Sequence, residues 1–167
     1  MIALQITHIK DFMNTLFHKD CFDDFLVQEV TISTYNTFHI HGRLLKDFYT
    51  AKEWADIEST GNSCSLWQYV KPFCFQIIRG KKTPLSFQFV LKLSAKDTKK
   101  LLSQSQINID PSQVEGLLLT LRYKNHALQC VTGTSLHIFT LDSSVHQAWD
   151  QMVLQFFNTH SLPYELL

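Results

Sequence analysis

Apolar residues in this chain follow two different spacings, and the alternation between them limits the folds open to it. Phe87, Phe89 and Leu91 are separated by single residues, which is the period of a half-buried strand. Between residues 143 and 159 the apolar side chains instead recur every three or four positions, the period of an amphipathic helix. Segments of both kinds follow one another along the chain. This order predicts an α+β domain in which helices pack on an antiparallel sheet.

The same periodicity places the individual elements. Thr50 and Glu53 have the spacing of a capping box that starts a helix, and Ser94 or Asp97 can cap another helix that ends near Gln104. In the apolar stretch from 66 to 78, Pro72 favours a helix that starts there, because proline is tolerated in the first turn and not in the interior. Strands are expected at 2–6, 26–34, 37–44, 87–93, 115–123, 126–132 and 135–141, and helices at 8–18, 50–60 and 143–159.

Size and composition exclude several classes of protein. The chain has 167 residues, is 45% hydrophobic and contains thirteen phenylalanines, so it can bury a core and is not intrinsically disordered. Fifteen basic and fifteen acidic residues balance, which excludes a uniformly basic nucleic-acid binder. No apolar run reaches the length of a membrane-spanning helix. At Met1 to Gln5 no basic segment leads into an apolar one, so we expect no secretory signal. We expect one domain over 1–167, in the cytoplasm, with its four scattered cysteines reduced.

The two halves of the chain have similar residue patterns at an offset of 87 residues, as in an internal repeat. The offset aligns the strand near Leu4 with Leu91, and the segment 27–32 with 114–119. The order strand–helix–strand–strand in each half resembles the doubled βαβββ unit of sliding clamps, in which helices face DNA and several domains form a ring. The repeats would be 1–45 and 86–141, with a helical insert at 46–80 and an added helix at 143–160. The alternative is two unrelated α/β pieces that share a common pattern.

A second resemblance covers nearly the whole chain. The segments 72–75, 83–87, 119–123 and 132–135, together with Trp149-Asp150, resemble a bacterial family to which no function is assigned. This resemblance implies a stand-alone domain and supplies neither an activity nor a cofactor.

Basic residues are concentrated in one part of the chain. Between Lys71 and Lys100 there are eight Lys or Arg residues and one acid, Asp97. Three of these lysines stand at i, i+3 and i+4, so they share one face of a helix and can meet an anion together. The alternative is a solvated helix face. The residues that we expect to bind an anionic partner are Lys96, Lys99 and Lys100, then Arg79, Lys81 and Lys82, and also Lys10 if the halves are related.

Motifs for catalysis, metals and cofactors are weak or missing. His39 and His41 project from one strand face, but no third ligand with matching spacing is evident. Asp47 or His137 could complete a metal site only through a tertiary contact. Arg79-Gly80-Lys81-Lys82-Thr83 lacks the first glycine of a phosphate loop. Cys130 shares a strand face with Leu128, which is typical of a core residue. The sequence predicts no cofactor and no metal site.

Two functional hypotheses follow. The first is a non-catalytic cytoplasmic binding or assembly module whose basic segment, 71–100, contacts nucleic acid or an acidic protein surface, with homo-oligomers as one arrangement. The second is a small enzyme or a ligand-binding or metal-binding protein with a pocket near His39, His41 and His137. Trp67 and Tyr69, beside the basic segment, either stack on a partner or pack in the core.

Overall fold

The protein is a two-layer α+β domain, described over all 167 residues by a computed structural model. Five α-helices and seven strands alternate along the chain, with short 3-10 turns at Lys46–Phe48 and Pro111–Gln113. The elements are β1 (Ala3–Ile6), α1 (Ile9–His18), β2 (Leu26–Ser33), β3 (Thr37–His41), α2 (Ala51–Thr60), α3 (Trp67–Ile78), β4 (Ser86–Lys92), α4 (Ala95–Gln104), β5 (Val114–Lys124), β6 (Ala127–Leu136), α5 (Ser144–Thr159) and β7 (Tyr164–Leu166).

All seven strands form one antiparallel sheet in the order β3-β2-β4-β5-β6-β1-β7. Side chains alternate between its two faces, so Leu91, Leu119 and Cys130 are buried while their neighbours are not. Helix side chains such as Phe12 and Trp149 belong to the same buried cluster. The predicted α+β class, with helices packed on an antiparallel sheet, is therefore confirmed.

The other face of the sheet carries polar side chains at its centre. Strand register places Thr31 opposite Gln88, Gln88 opposite Arg122, and Arg122 opposite Gln129, which in turn lies opposite Gln5. Arg122 Nε donates to Gln88 Oε1 at 3.1 Å. We call this polar side the open face of the sheet.

Two expected elements differ from the structure. Strands were expected at 126–132 and 135–141, but β6 is one continuous strand and residues 137–143 form a loop. Gly133 does not interrupt the strand because it stays paired with Leu118 of β5. The helix expected to start near Pro72 begins five residues earlier, because Trp67 is buried in the core and its Nε1 donates to the Leu16 carbonyl oxygen at 3.0 Å.

The two halves share an element order but not a strand arrangement. Each half runs strand–helix–strand–strand, as β1-α1-β2-β3 and as β4-α4-β5-β6. In the second half β4 lies next to β5, whereas in the first half three strands separate β1 from β2. The helices α2 and α3 occupy the interval between the halves, and α5 follows the second.

Candidate functional site

The cations singled out by the sequence lie at two opposite ends of the sheet. Arg79, Lys81 and Lys82 precede β4, whereas the three lysines of α4 follow it. The seven residues of β4 span about 23 Å, at about 3.3 Å per residue. All of these side chains are exposed. The basic segment therefore presents two separate cationic groups rather than one surface.

Lys10 belongs to the end where Arg79, Lys81 and Lys82 lie. Three antiparallel pairings, β1 with β6, β6 with β5 and β5 with β4, make β1 antiparallel to β4. The chain therefore leaves β1 where it enters β4, and Lys10 stands in the first turn of the helix that follows. Lys10 does not join the lysines of α4.

Lys71, which begins the basic segment, is neutralised within the fold. Its Nζ lies 2.5 Å from Asp23 Oδ1 and also donates to the Lys19 carbonyl oxygen at 3.0 Å. Both side chains of the pair are mostly buried, and the ion pair links α3 to the segment after α1. It is not available to a partner.

Local interactions at the start of α4 leave its lysines free. Ser94 Oγ accepts a hydrogen bond from the Asp97 backbone N–H at 3.2 Å and donates to Asp97 Oδ2 at 3.0 Å, which confirms the predicted cap. The only acid of the helix is thus engaged in the cap. Thr98, Leu101 and Leu102 face the core, and the outward face carries the exposed side chains of Lys96, Lys99 and Lys100. None of the three forms an ion pair.

Two adjoining recesses run from α4 to the open face of the sheet, and together we call them the cleft. The first, of about 450 Å³, is lined by Lys99 and Lys92. The second, also about 450 Å³, is lined by Lys92, Arg43 and His41. Because Lys92 borders both recesses, the cleft joins four basic side chains from two distant segments of the chain, 41–43 and 92–99.

Two β-bulges shape the cleft. Strand β2 has an extra residue, Gln28, between its pairings with β4, and β5 has an extra residue, Glu115, between its pairings with β6. Both extra residues line the second recess. Bulges turn a side chain away from the regular alternation, and they are common beside functional sites. Here they bring a carboxamide and a carboxylate into the recess that Lys92 also lines.

Gly42 and Gly116 let the backbone close around this site. A side chain at Gly42 would collide with the Val27 carbonyl group, whose carbon would be 2.6 Å from the new Cβ. Gly116 lies under the stem of Lys92, whose Cε would be 3.1 Å from a Cβ there. The first glycine allows the chain after β3 to pack on β2, and the second makes room for the lysine.

The cleft also holds two ionised acids. The pKa of Glu115 is lowered, first by the hydrogen bond that Ser135 Oγ donates to its Oε2 and also by the positive charges of His137 and Lys92. Asp110 lines the first recess, and its pKa is also lowered, first by the hydrogen bond that the Ser112 backbone N–H donates to its Oδ1. The cleft therefore combines four basic side chains with two carboxylates that remain charged at neutral pH. This combination suits a small molecule that carries both an acidic and a basic group.

The histidines separate into different surroundings. His41 lines the cleft, and its Nδ1 accepts the Arg43 backbone N–H at 3.3 Å. His39 lies on the open face, 3.1 Å from Thr31 Oγ1 and with its Nε2 3.5 Å from Glu29 Oε1. His137 is close enough to Glu115 to lower its pKa. No group of three or more His, Cys, Asp or Glu side chains converges as metal ligands would.

The cysteines and aromatic residues are mostly structural. Cys130 is buried, as its neighbour Leu128 predicted, and Cys74 is buried as well. Burial raises the pKa of the Cys74 thiol to about 12. Burial also raises the pKa of Cys130. Of the two aromatic residues beside the basic segment, Trp67 is in the core and Tyr69 is 67% exposed.

Sequence reasoning did not single out Arg43, Gln28 or Glu115. The two bulges and the pairing of β2 and β5 with their neighbouring strands bring these residues to Lys92. Neither feature can be located from local patterns in the sequence. Gly42, which follows directly after the alternating strand residues, is the one local sign that the chain turns closely there.

Comparisons with known proteins show the family of the chain and nothing about its activity. None of the five helices combines the length and apolar character needed to cross a bilayer. Comparison with curated proteins and with solved structures finds no match in either. One family, described only as having unknown function, matches residues 15–165, which is most of the chain. The chain therefore belongs to that family, DUF5721.

Proposed function

We propose that the protein is a non-catalytic binding module that holds an anionic partner, nucleic acid in the first instance, against α4 and the cleft. The observation that carries the proposal is the set of three exposed lysines on one face of α4, none of which forms an ion pair. Lys99 continues this surface into the cleft, where Lys92 and Arg43 follow.

The spacing of the α4 lysines matches a polyanion. Residues 96 to 100 cover about 6 Å of helix at about 1.5 Å per residue. Duplex DNA carries one negative charge per about 1.7 Å of its axis, so three or four charges lie within that length. A single rigid helix can therefore meet several phosphates at once, and the affinity should fall steeply as salt concentration rises.

We do not extend the proposal to a clamp-like ring. In the clamp arrangement the helices of both repeats face the same DNA. Here α1 and α4 begin at opposite ends of the sheet, because β1 and β4 are antiparallel. The bacterial cytoplasm remains the proposed location, since the four cysteines are free thiols and three of them are buried.

Charge reversal at the two ends of the sheet tests the proposal. One variant replaces Lys96, Lys99 and Lys100 by Glu, and the matched control replaces Arg79, Lys81 and Lys82 by Glu. Both variants change the net charge equally and alter only exposed side chains. We expect the α4 variant to lose salt-sensitive retention on heparin and on labelled duplex DNA, while the control keeps most of it.

The salt dependence gives the size of the effect. Three phosphate contacts correspond to a slope of about −2.7 in log affinity against log salt concentration, or roughly 40-fold between about 50 and 200 mM salt. Unchanged retention by the α4 variant contradicts the proposal. An equal loss in both variants also contradicts it, because binding would then follow net charge and not a site.

A second candidate function is supported by the bulges. The cleft places Lys92 and Arg43 together with the ionised Glu115, which suits a small ligand with both charges, such as an amino acid. Replacing Lys92 by Met keeps the stem over Gly116 and removes the charge. If the cleft binds such ligands, amino acids should raise the melting temperature of the wild-type protein and not of Lys92→Met. No shift with the wild type contradicts this candidate.

A further inference from the structure

Strand β3 forms one edge of the sheet, and its pairing with β2 fixes which of its backbone groups face outward. The ladder between the two strands is regular over the whole of β3. The Gly42 N–H donates to the Gln28 carbonyl at 3.0 Å, and the Thr34 N–H donates to the Asn36 carbonyl at 2.9 Å. Because bonding alternates along an antiparallel ladder, these two bonds direct the even-numbered residues of β3 toward β2 and the odd-numbered residues outward.

Three residues therefore point their backbone N–H and C=O groups away from the sheet: Thr37, His39 and His41. Outside the β2–β3 ladder no backbone hydrogen bond involves these residues, and no other strand pairs with this edge. Their side chains are exposed. The edge thus offers three donors and three acceptors to another strand.

Strand β3 lacks the features that usually prevent edge pairing. Natural sheets protect their edges with lysines, prolines, bulges or very short strands. The sequence of β3 is Thr-Phe-His-Ile-His, with no lysine and no proline, and its pairing with β2 contains no bulge. The opposite edge, β7, has only three residues, and one of them is Glu165. Of the two edges, β3 is the one suited to accept a further strand.

We propose that β3 pairs antiparallel with β3 of a second copy, about a two-fold axis at His39. In this register His39 lies opposite the partner's His39, and Thr37 lies opposite the partner's His41. All the outward groups are then used, which gives six backbone hydrogen bonds between the copies. An axis at Phe38 or at Ile40 leaves one of the three residues unpaired and gives four. This self-complementarity is why a second copy fits the edge better than an unrelated strand.

The side chains agree with the same register. Phe38 lies opposite the partner's Ile40, both are half-buried, and pairs of an aromatic with a β-branched residue stabilise antiparallel strands. None of the paired residues is a lysine, an arginine or an acid. The nearest charges are Glu29, whose Oε1 is 3.5 Å from His39 Nε2, and Arg43, which lies beyond the end of β3. No like charges therefore oppose each other in the pair.

The contact forms a closed dimer of modest strength. Six hydrogen bonds fall within the roughly 5–15 that specific interfaces have, but the apolar contribution is small. Each β3 edge is occupied by the other, so association stops at two copies. The two seven-stranded sheets become one continuous sheet, with both open faces on the same side. This inference goes beyond the anion-binding proposal, because none of the lysines of that proposal lies on β3.

Charge substitutions at His39 test the register. In His39→Lys, and equally in His39→Glu, two like charges would lie directly opposite each other, which destabilises a strand pair. We expect each variant to be monomeric at concentrations where the wild type is a dimer, and an equimolar mixture of the two to form a heterodimer. Asn158→Lys is the matched control, because it adds the same charge at an exposed position of α5. It should dimerise as the wild type does.

Proline substitutions test the backbone pairing. His39→Pro removes an outward N–H and leaves the bonds to β2 in place, and proline is tolerated on edge strands in this orientation. The dimer loses two hydrogen bonds, one from each copy, and should be about 30-fold weaker. Leu166→Pro is the matched control on the opposite edge. There the Leu167 N–H donates to the Ala3 carbonyl at 3.0 Å, so the Leu166 N–H faces outward and its loss should not affect dimerisation.

Sedimentation velocity across the micromolar range, without nucleic acid, measures association, and the urea-unfolding midpoint shows that each variant is folded. A wild type that stays monomeric throughout the range overturns the inference. A dimer that remains as tight in His39→Lys and in His39→Glu as in the wild type also overturns it. So does a mixture of the two charge variants that forms no heterodimer. None of these results affects the anion-binding proposal, whose test uses the lysines of α4 and a polyanion.

Discussion

Gly42→Ala should destabilise the protein severely although it adds one methyl group. The new Cβ would occupy the position of the Val27 carbonyl oxygen, so the chain after β3 must move away from β2. Gly42 is buried and participates in two backbone hydrogen bonds: its N–H donates to the Gln28 carbonyl at 3.0 Å, and its carbonyl accepts from the Ser65 N–H at 2.9 Å.

The magnitude follows from these bonds. Each lost backbone hydrogen bond costs about 1 kcal/mol, and more when a buried group stays unpaired. The Val27 N–H, which donates to the Ser65 carbonyl at 2.8 Å, depends on the same contact. We therefore expect Gly42→Ala to lower the free energy of unfolding by about 3 kcal/mol, a large part of the roughly 5–15 kcal/mol that is typical of a domain.

Gly133→Ala is the matched control. A Cβ at Gly133 would lie 3.8 Å from Leu118 Cβ, an ordinary contact on the open face of the sheet. Inside a strand, alanine raises the free energy of unfolding by about 0.5–1 kcal/mol relative to glycine. This variant should therefore be as stable as the wild type or slightly more stable. The same chemical change thus has opposite consequences at two positions.

Urea unfolding followed by tryptophan fluorescence measures both variants. With a slope of about 2 kcal/mol per molar, a loss of 3 kcal/mol lowers the midpoint by about 1.5 M. If Gly42→Ala shifts the midpoint no more than Gly133→Ala does, the close approach of Gly42 to Val27 is refuted as a constraint on the fold.

Three further predictions concern single side chains. Trp67→Phe should lower the free energy of unfolding, measured in urea, by about 2–3 kcal/mol, because the Leu16 carbonyl loses its donor and a cavity remains. A decrease below about 0.5 kcal/mol contradicts the packing of Trp67 in the core. Cys74, whose pKa is raised to about 12, should resist alkylation at pH 9 in the folded protein and react once urea unfolds it; rapid labelling of the native thiol would show that it is accessible. Ser135→Ala should raise the pKa of Glu115 in an NMR titration. The pKa of Glu115 is lower in the folded protein than in the unfolded chain, so the hydrogen bond stabilises the fold at neutral pH, and this stabilisation is lost as the pH falls through the folded-state pKa. An unchanged pKa of Glu115 in Ser135→Ala contradicts the pairing with Ser135.

Local interactions explain what could be predicted from sequence. The cap of α4 and its lysine face depend on residues within four positions of one another, so Ser94, Asp97 and Lys96 suffice to place them. The capping box of α2 is confirmed for the same reason. Alternation along β6 correctly placed Cys130 on the buried face, because side chains on a strand change sides at every residue.

The interior of α3 shows where local preference fails. Proline favours a helix start, yet Pro72 is the sixth residue of its helix. The core decides the boundary instead, since Trp67 and Cys74 on either side of Pro72 are both fully buried. Burial of two such side chains outweighs the loss of one helical hydrogen bond.

From its sequence alone, this chain could be assigned an α+β class, most of its elements, its buried strand residues and a helix with three aligned lysines. The periodicity of apolar residues and the caps carry that information because they act over a few positions. The length of β4 alone keeps Lys81 and Lys99 at opposite ends of the sheet. Only the tertiary structure decided which distant cations meet, because strand order sets which chain segments lie side by side. Placing β4 next to β2 brings Arg43 into the cleft that Lys92 lines.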